Sequence, residues 1–466
     1  MVVSLPVLQT VAPERSAPIT SRCNLPSAPR NPHIHLFDTE HGAHLFVVNG
    51  SRVYGLGPEE TATFSAAVRA SGPDAVTVAL TAYGLAAAPV IDDTPLSLPP
   101  LRALSLAVAQ KCNLACNYCY AQEGDFGGEA RAMSLDVALA AVERLFANCP
   151  SGERVNLAFL GGEPLLARDI LRGATEHAVR FSRERGVHLG LSITTNGTLI
   201  TPDDGDYFER HGFAVTVSLD GVGESHDRQR AYKGGRGSFD RIIANVLPLL
   251  ARQRRMEVSA RVTVTPHNLD LPHTLDALIA FGFHSVGFSP MLASPTGREQ
   301  MGADELDRML EQMIACGQAF ERRTMAGDRY PFANVVNAMK EIHRGTHRPY
   351  PCGAGAGYFG VAADGALAAC HRFVNDAEGA MGDLTSGVES ELQARWLRER
   401  HVHHQEPCRS CWARYLCGGG CHHEVIHRGR PACDYIRGWL HYCLGAYVRL
   451  LAARPDYFRG QQLPSS

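Results

Sequence analysis

Three closely spaced cysteines are the residues of this chain best suited to chemistry. Cys112, Cys116 and Cys119 follow a C-x3-C-x2-C spacing within one short loop. Three thiolates on one loop suit an iron–sulfur cube and leave one iron without a protein ligand. A structural zinc site is the alternative, but it would want a fourth ligand nearby, and none is obvious in this loop. The spacing therefore predicts a cluster whose open iron could chelate a small molecule.

A second set of cysteines lies nearer the C-terminus, where Gly, Cys and His replace regular apolar periodicity. Its members are Cys352, Cys370, Cys408, Cys411, Cys417, Cys421, Cys433 and Cys443. The Cys408-x2-Cys411 pair alone would suggest zinc first, but the longer series favours iron. A loop-rich region without a large apolar core also needs another source of stability, such as bound metal. We therefore expect auxiliary iron–sulfur clusters here.

The elements that must position the first three cysteines alternate between strands and helices from 102 to about 300. Apolar runs predict strands at 103–109, 155–160, 188–194, 213–218, 257–264 and 285–290. Strands that alternate with helices predict a parallel sheet with right-handed crossovers. Six units fall short of a full eight-unit barrel, so we expect a partial, open (β/α)6 barrel in an α/β fold.

Polar and glycine motifs follow several of these strands, where barrel enzymes place their chemistry. The candidates are Gly161, Gly162 and Glu163 after the second strand, Asn196 after the third, Ser218, Asp220 and Arg230 after the fourth, and Phe288 in the sixth. Each has a simpler interpretation. Asn-Gly is an ordinary turn, Arg230 could form a surface ion pair, and packing alone could explain Phe288.

The cysteine triplet and these motifs resemble the radical S-adenosylmethionine (SAM) superfamily, whose cluster motif has this spacing and an aromatic residue before the third cysteine, here Tyr118. The resemblance implies that the open iron of a [4Fe-4S] cluster binds SAM, and that an electron from the cluster splits it to give a 5′-deoxyadenosyl radical. It assigns the Gly161–Glu163 loop to the amino group of SAM, Ser218 to the ribose or carboxylate, Arg230 to the carboxylate and Phe288 to the neighbourhood of the adenine. Asn196 and Asp220 complete the cofactor-binding candidates.

The C-terminal cysteines resemble the SPASM extension, which carries two auxiliary iron–sulfur clusters. By this resemblance Cys408, Cys411, Cys417 and Cys433 hold the outer cluster, and Cys352, Cys370 and Cys421 the inner one. Sulfatase-activating relatives have a further cysteine shortly after the first, and the stretch GAGAGYFGV has none. The inner cluster is therefore expected to keep an open iron that could bind a substrate thiolate. Cys443 could instead supply the missing ligand or replace Cys433.

His371, directly after Cys370, is the candidate catalytic base, because the same relatives have an aspartate at this point. Histidine could accept a proton near neutral pH, or it could donate a hydrogen bond to a cluster sulfur. The remaining histidines of the region are expected to be solvated or to support the ligands. They are His401, His403, His404, His422 and His423.

Five segments are expected along the 466 residues. They are a disordered tail (1–30), a peptide-recognition module (31–100), the barrel (101–300), a helical bridge (301–350) and the SPASM domain (351–466). In the module, two apolar runs flank Asn49-Gly50, which predicts a hairpin with a two-residue turn, and Pro58 opens a helix. The module resembles, more weakly, the leader-binding segments of peptide-modifying radical enzymes, whose hairpin edge could capture an extended peptide. A packing domain without a ligand is the alternative.

Taken together, the motifs resemble the thioether-forming peptide maturases, most of all those that mature the small subunit of quinohemoprotein amine dehydrogenase. The resemblance implies cysteine thioether crosslinks in a cysteine-containing peptide or small protein subunit, with an electron donor such as flavodoxin or ferredoxin. The alternatives are another radical SAM peptide modification (carbon–carbon crosslinking, epimerisation or formylglycine formation in sulfatases), a non-catalytic metal-binding scaffold, or an electron-transfer protein.

Composition excludes some classes of partner. The net charge of −3 and the lack of a long basic run give no sign of nucleic-acid binding. The sequence has no run of 18 apolar residues, so a membrane span is not predicted. The N-terminus lacks the basic start and apolar core of a signal peptide, so we expect a cytoplasmic protein.

Overall fold

A small antiparallel sheet opens the part of the chain that the computed structural model describes, which is residues 31–70, 73–86 and 88–458. The predicted tail at 1–30 lies outside the described residues. The sheet has the order β1-β2-β3, and two helices follow it. The elements are β1 (Ile34–Thr39), β2 (Gly42–Val47), β3 (Arg52–Leu56), α1 (Pro58–Arg69) and α2 (Pro73–Ala82). A hairpin is present at the predicted place, but its loop has four residues instead of the predicted two, because Val47 pairs with Arg52.

Six parallel strands, each followed by at least one helix, form the barrel. The elements of this region are β4 (Ala103–Gln110), β5 (Arg131–Ala132), α3 (Leu135–Ala147), β6 (Arg154–Gly161), α4 (Arg168–Arg185), β7 (His188–Thr195), α5 (Pro202–His211), β8 (Ala214–Ser218), α6 (Glu224–Asp227), α7 (Phe239–Leu250), β9 (Glu257–Val264), α8 (Leu271–Ala280) and β10 (Val286–Pro290). The pairing order is β4-β6-β7-β8-β9-β10, with every one of these pairs parallel. The predicted open six-unit barrel is confirmed, since β4 and β10 lie at opposite ends of this series.

The rest of the chain packs against the barrel and extends its sheet. Its elements are α9 (Ala303–Met325), α10 (Ala333–Arg344), β11 (Tyr358–Val361), β12 (Ala366–Ala368), β13 (Ala380–Asp383), β14 (Gly387–Val388), α11 (Ser390–Arg400), α12 (Arg414–Cys417), α13 (His422–Arg428) and α14 (Cys433–Ala453). Helices α9 and α10 lie within the 301–350 segment. Strand β11 pairs in parallel with β4, and β12, β13 and β14 continue the sheet beyond it. In the described part of the chain, no helix has the length and apolar character needed to cross a bilayer.

The N-terminal sheet docks on the C-terminal region through its first strand. The ring of His35 in β1 stacks on Trp412 with centroids 3.8 Å apart, and its Nε2 lies 2.9 Å from Nδ1 of His441 in α14. This contact covers β1, the strand at one edge of the small sheet. Strand β3, at the other side of the order β1-β2-β3, pairs with β2.

A buried carboxylate fixes the start of α5 against α4. Asp204 completes a capping box with Thr201 and accepts hydrogen bonds from Nε of Arg168 at 3.0 and 3.1 Å. Burial alone would raise the pKa of Asp204, but the hydrogen bonds from Arg168 and Thr201 and the charge of Arg168 leave it lowered. The ionised carboxylate therefore stabilises the folded state.

We expect Asp204→Asn to lower the free energy of unfolding by about 2 kcal/mol, since hydrogen bonds to charged groups contribute roughly 1.5–3 kcal/mol. The loss should be constant between pH 8 and about pH 5, because a carboxyl with a lowered pKa stays ionised there and loses its contribution only at lower pH. Thermal unfolding followed by circular dichroism measures the change. Asp203→Asn, which alters an exposed partner of Arg172, is the matched control. An equal shift in both variants would contradict this role.

Candidate active site

The three clustered cysteines directly follow β4, at the edge of the barrel where the parallel strands have their carboxyl ends. Burial is the main cause that raises the pKa of Cys116 to about 12, and charge on Cys119 and Cys112 adds to the rise. The three thiols therefore lie close together. In the described part of the chain, no three cysteine sulfur atoms all lie within 4.8 Å of one another. A single zinc ion with bonds of about 2.3 Å would hold its sulfur ligands roughly 3.8 Å apart. Three thiols grouped in one loop suit an iron–sulfur cube with one iron free of a protein ligand.

Two glycines let the loop after β6 approach the cysteine loop. A Cβ on Gly161, which has a φ of +146°, would lie 2.3 Å from the carbonyl oxygen of Ala109, and one on Gly162 would lie 2.4 Å from that of Lys111. Both distances are far below any real contact, so only glycine fits at this crossing. The GGEP loop therefore lies directly against the backbone that leads into Cys112.

Glu163, the acidic residue of that loop, is fully buried. Its Oε2 accepts a hydrogen bond from the backbone N–H of Asn196 at 2.7 Å, and its Oε1 accepts from the hydroxyl of Thr195 at 2.8 Å and the N–H of Leu165 at 3.0 Å. Burial raises the pKa of Glu163, and these hydrogen bonds oppose the rise. The carboxylate ties the end of β6 to the end of β7 and so positions both loops.

Asn196 reaches the cysteine loop from the end of β7. Its Nδ2 donates to Oδ1 of Asn113 at 2.9 Å and lies 3.7 Å from Sγ of Cys112. Its Oδ1 accepts from the backbone N–H and hydroxyl of Thr198. The side chain is thus more than a turn residue, because it braces the loop that carries the first cysteine.

Tyr118, Asp220 and Arg230 form a buried polar group beside the cysteine triplet. The Tyr118 hydroxyl donates to Asp220, and Nη1 of Arg230 donates to the Tyr118 oxygen at 2.6 Å and lies 3.7 Å from the Asp220 carboxylate. Arg230 is only 8% exposed, which rules out a surface ion pair. Its Nε is buried and has no hydrogen-bond partner. A guanidinium with a free donor suits the carboxylate of a small ligand.

The two remaining barrel candidates lie on β8 and β10. Ser218 is half-buried at the end of β8. Phe288 is 2% exposed and packs edge-to-face on Phe332 at 5.7 Å. Both lie on strands of the barrel sheet, as the sequence predicts.

His371 lies where the barrel meets the C-terminal cysteines. Its Nδ1 is 2.8 Å from the hydroxyl of Tyr358, which is itself 2.8 Å from Oγ of Ser105 on β4. The imidazole also packs edge-on against Tyr120 at 5.8 Å. Burial, with the charge of Arg372, lowers the pKa of His371 to about 4, so the ring is neutral near pH 7.

Tyr120, Tyr358 and Arg372 were not among the predicted site residues. Tyr120 directly follows Cys119, and charge on Cys370 also acts on its pKa, so its ring lies between the triplet and the inner cysteine set. The Arg372 guanidinium lies 5.5 Å from the Tyr120 ring centroid. Position next to the triplet could have singled out Tyr120, but nothing local marks Tyr358.

Most of the C-terminal cysteines fall into two sets. Charge on Cys352 and Cys421 raises the pKa of Cys370, to about 12 with burial as the main cause. The other four cysteines share one cavity and act on one another's pKa values. They are Cys408, Cys411, Cys417 and Cys433. Cys421 also lines this cavity, so it lies between the two sets.

Cys443 does not join either set, which corrects its place among the predicted ligands. It is fully buried in α14, and the charged groups that act on its pKa are Glu321 and Arg449 rather than other cysteines. The two cysteines are ten residues apart in α14, and at a rise of about 1.5 Å per residue they lie roughly 15 Å apart along the helix axis. Cys443 packs as a small apolar residue instead.

Comparisons with known proteins agree with this geometry. Residues 106–278 match the sequence model of the radical SAM superfamily. The serine-type anaerobic sulfatase-maturating enzyme of Klebsiella aerogenes is 28% identical over 345 residues, which are 70% of this chain and 81% of that protein. The cysteine-type enzyme of Clostridium novyi is 25% identical over 340 residues, which are 69% and 88%. The solved structure of native anSMEcpe with bound AdoMet (SAM) and Cp18Cys peptide shares the fold, with a TM-score of 0.61, 20% identity and coverage of 77% and 99%.

We expect Arg230→Ala to weaken SAM binding by about 10- to 100-fold, because a charge-assisted hydrogen bond contributes roughly 1.5–3 kcal/mol. Equilibrium dialysis of the anaerobically reconstituted protein measures the affinity, and iron analysis shows whether the clusters are retained. Arg228→Ala removes an exposed guanidinium from the same segment and is the control. Unchanged SAM affinity in Arg230→Ala would contradict the assignment.

Iron content should show which of the two cysteines of α14 is a cluster ligand. We expect Cys433→Ala to lose the iron of one auxiliary cluster, whereas Cys443→Ala should keep the wild-type amount because its thiol lies apart from both sets. Iron analysis after anaerobic reconstitution is the measurement. A comparable loss of iron in Cys443→Ala would restore that residue as a ligand.

Proposed function

Because this chain is a radical SAM enzyme, we propose that it modifies a side chain of a peptide or small protein. The observation that carries the proposal is the position of Tyr120 and His371. They pack together between the triplet Cys112, Cys116 and Cys119 and the inner cysteine set. The Klebsiella and Clostridium relatives are named for maturation of sulfatases. Their similarity supports a polypeptide substrate.

The cysteine triplet would hold the cluster that binds SAM, and the two C-terminal sets would hold auxiliary clusters. When bound, the reduced cluster of the triplet would supply the electron that cleaves SAM to a 5′-deoxyadenosyl radical able to remove a hydrogen atom from the substrate, and the auxiliary clusters would offer an acceptor for the electron left over. The residues of the chain provide position. Arg230 and the Gly161–Glu163 loop would orient SAM, and Phe288 would exclude water from one side.

We infer that His371 faces the substrate. It is the imidazole at the junction of the two cysteine regions, and its Nδ1 is held by the Tyr358 hydroxyl. This hydrogen bond fixes the ring, so that it could position the substrate or take up a proton. Ser105, which contacts the same hydroxyl, anchors the arrangement to β4.

Two products have support. Formylglycine formation, the oxidation of a serine or cysteine side chain, is supported by the serine-type and cysteine-type relatives. Thioether formation is supported by the inner set, in which the described residues bring together three thiols, Cys352, Cys370 and Cys421. A cluster with three protein ligands leaves an iron free for a substrate thiolate. The similarity to sulfatase-maturating enzymes gives formylglycine formation the stronger support. The support for thioether formation comes from the three-thiol inner set.

The N-terminal sheet is the proposed peptide-binding module. Its strand β1 is covered by Trp412 and α14, whereas β3 has exposed and half-buried residues and lies at the other edge. An extended peptide could add to β3 through backbone hydrogen bonds. The module would then hold the peptide while another segment of it enters the barrel.

The test uses the reduced, reconstituted enzyme with SAM and two synthetic peptides. One has a single serine or cysteine, and the other has a cysteine near several acidic residues. We expect 5′-deoxyadenosine together with a modified peptide, and neither with Cys116→Ala. A carbonyl that reacts with a hydrazine reagent identifies formylglycine, whereas loss of two hydrogens with a blocked thiol identifies a thioether. Absence of 5′-deoxyadenosine under reducing conditions would refute the proposed function.

A further inference from the structure

We propose that Asp376, His423 and His427 form a binding site for one divalent transition-metal ion, separate from the cysteine sets. One ligand atom from each of the three residues lies within 4.8 Å of the other two. None of these residues belongs to the radical site described above. The inference therefore stands independently of the proposed function.

The two histidines come from one helix face. His423 and His427 are four residues apart in α13, which places both rings on the same side of the helix. Two histidines at this spacing are a common metal-binding pair. Their ring centroids are 4.5 Å apart, so both imidazoles border the same small space.

Asp376 approaches from a different segment with its carboxylate already oriented. Its Oδ1 accepts a hydrogen bond from the backbone N–H of Glu378 at 3.0 Å, and its Oδ2 lies 2.7 Å from Nε2 of His427. One oxygen is thus held by the backbone while the other faces the histidines. A metal-binding carboxylate is usually fixed by such an outer hydrogen bond.

An ordinary ion pair between Asp376 and His427 does not account for His423. The Nδ1 of His423 is buried and has no hydrogen-bond partner. Phe373, which is almost fully buried, packs on His423 at 5.0 Å and on His427 at 6.1 Å and holds both rings in place. A bound cation would use these pre-positioned rings as ligands.

Two imidazole nitrogens and one carboxylate oxygen suit zinc or ferrous iron. Three protein ligands leave at least one position for water or a substrate group, and the exposed His427 makes the site reachable from solvent. The nearby cation Arg372 is neutralised by Glu424 at 2.7 Å. The site joins the segment after Cys370 to the segment after Cys421, so an ion would tie together two parts of the inner cysteine set.

Zinc binding to the cluster-loaded enzyme tests the inference. After equilibrium dialysis against zinc sulfate, we expect one zinc per chain and an X-ray absorption spectrum with nitrogen and oxygen ligands at about 2.0 Å and no sulfur. His427→Ala and Asp376→Asn should each weaken zinc binding by about 100-fold or more, since even outer-shell partners contribute roughly 10- to 100-fold. His404→Ala, which removes an exposed histidine outside the site, should bind zinc as the wild type does.

Sulfur-ligated zinc, no zinc in the wild type, or wild-type affinity in both site variants would overturn the proposal. The wild-type spectrum decides the matter even if a variant fails to fold, and iron content reports on folding in each variant. Formation of 5′-deoxyadenosine is measured separately. Failure of the metal site is therefore distinguishable from failure of the radical chemistry.

Discussion

The parallel pairing of β11 with β4 is the constraint on which the arrangement of the site depends. It sets Tyr358 opposite Ala103 and Val361 opposite Leu106, and so places the C-terminal region on the strand that leads into the cysteine triplet. The strand pair also brings Tyr358 to Ser105, and through Tyr358 it holds His371. Gly360 makes the return of the chain possible, because a Cβ there would lie 2.8 Å from the backbone of Cys370. The pairing thereby fixes the segment that leads to Cys370 against the first strand of the barrel.

Electrostatics gives the three cysteine sets a common design. Each set has at least one arginine whose charge lowers the pKa of a member thiol and so opposes the effect of burial: Arg230 at Cys116, Arg372 at Cys370 and Arg430 at Cys408. Burying several thiolates together is unfavourable unless opposite charge lies nearby. The arginines therefore favour the anionic state that iron–sulfur clusters require. They are supplied by three different segments, so the pattern emerges only in the folded chain.

Sequence reasoning succeeded where the signal is local. The six barrel strands are short apolar or alternating segments, and the spacing of Cys112, Cys116 and Cys119 fits within one loop. It could not foresee contacts between distant segments. The β11–β4 pair joins residues about 250 positions apart, and no apolar pattern in so short a strand names its partner. The grouping of Asp376 with two histidines was missed for the same reason.

Cys443 illustrates a different limit, because spacing alone leaves two cysteines of one helix equivalent. Only the surroundings of α14 separate them: Cys433 lines the cavity of the outer set, whereas Cys443 lies against Glu321 and Arg449. This separation bears on the reaction as well. Because Cys443 lies apart from both sets, α14 supplies no fourth cysteine to the inner set. The choice between an oxidised side chain and a thioether then depends on which group occupies the fourth ligand position of that set. A substrate thiolate at this position would lie next to His371, which follows Cys370 and faces Tyr120.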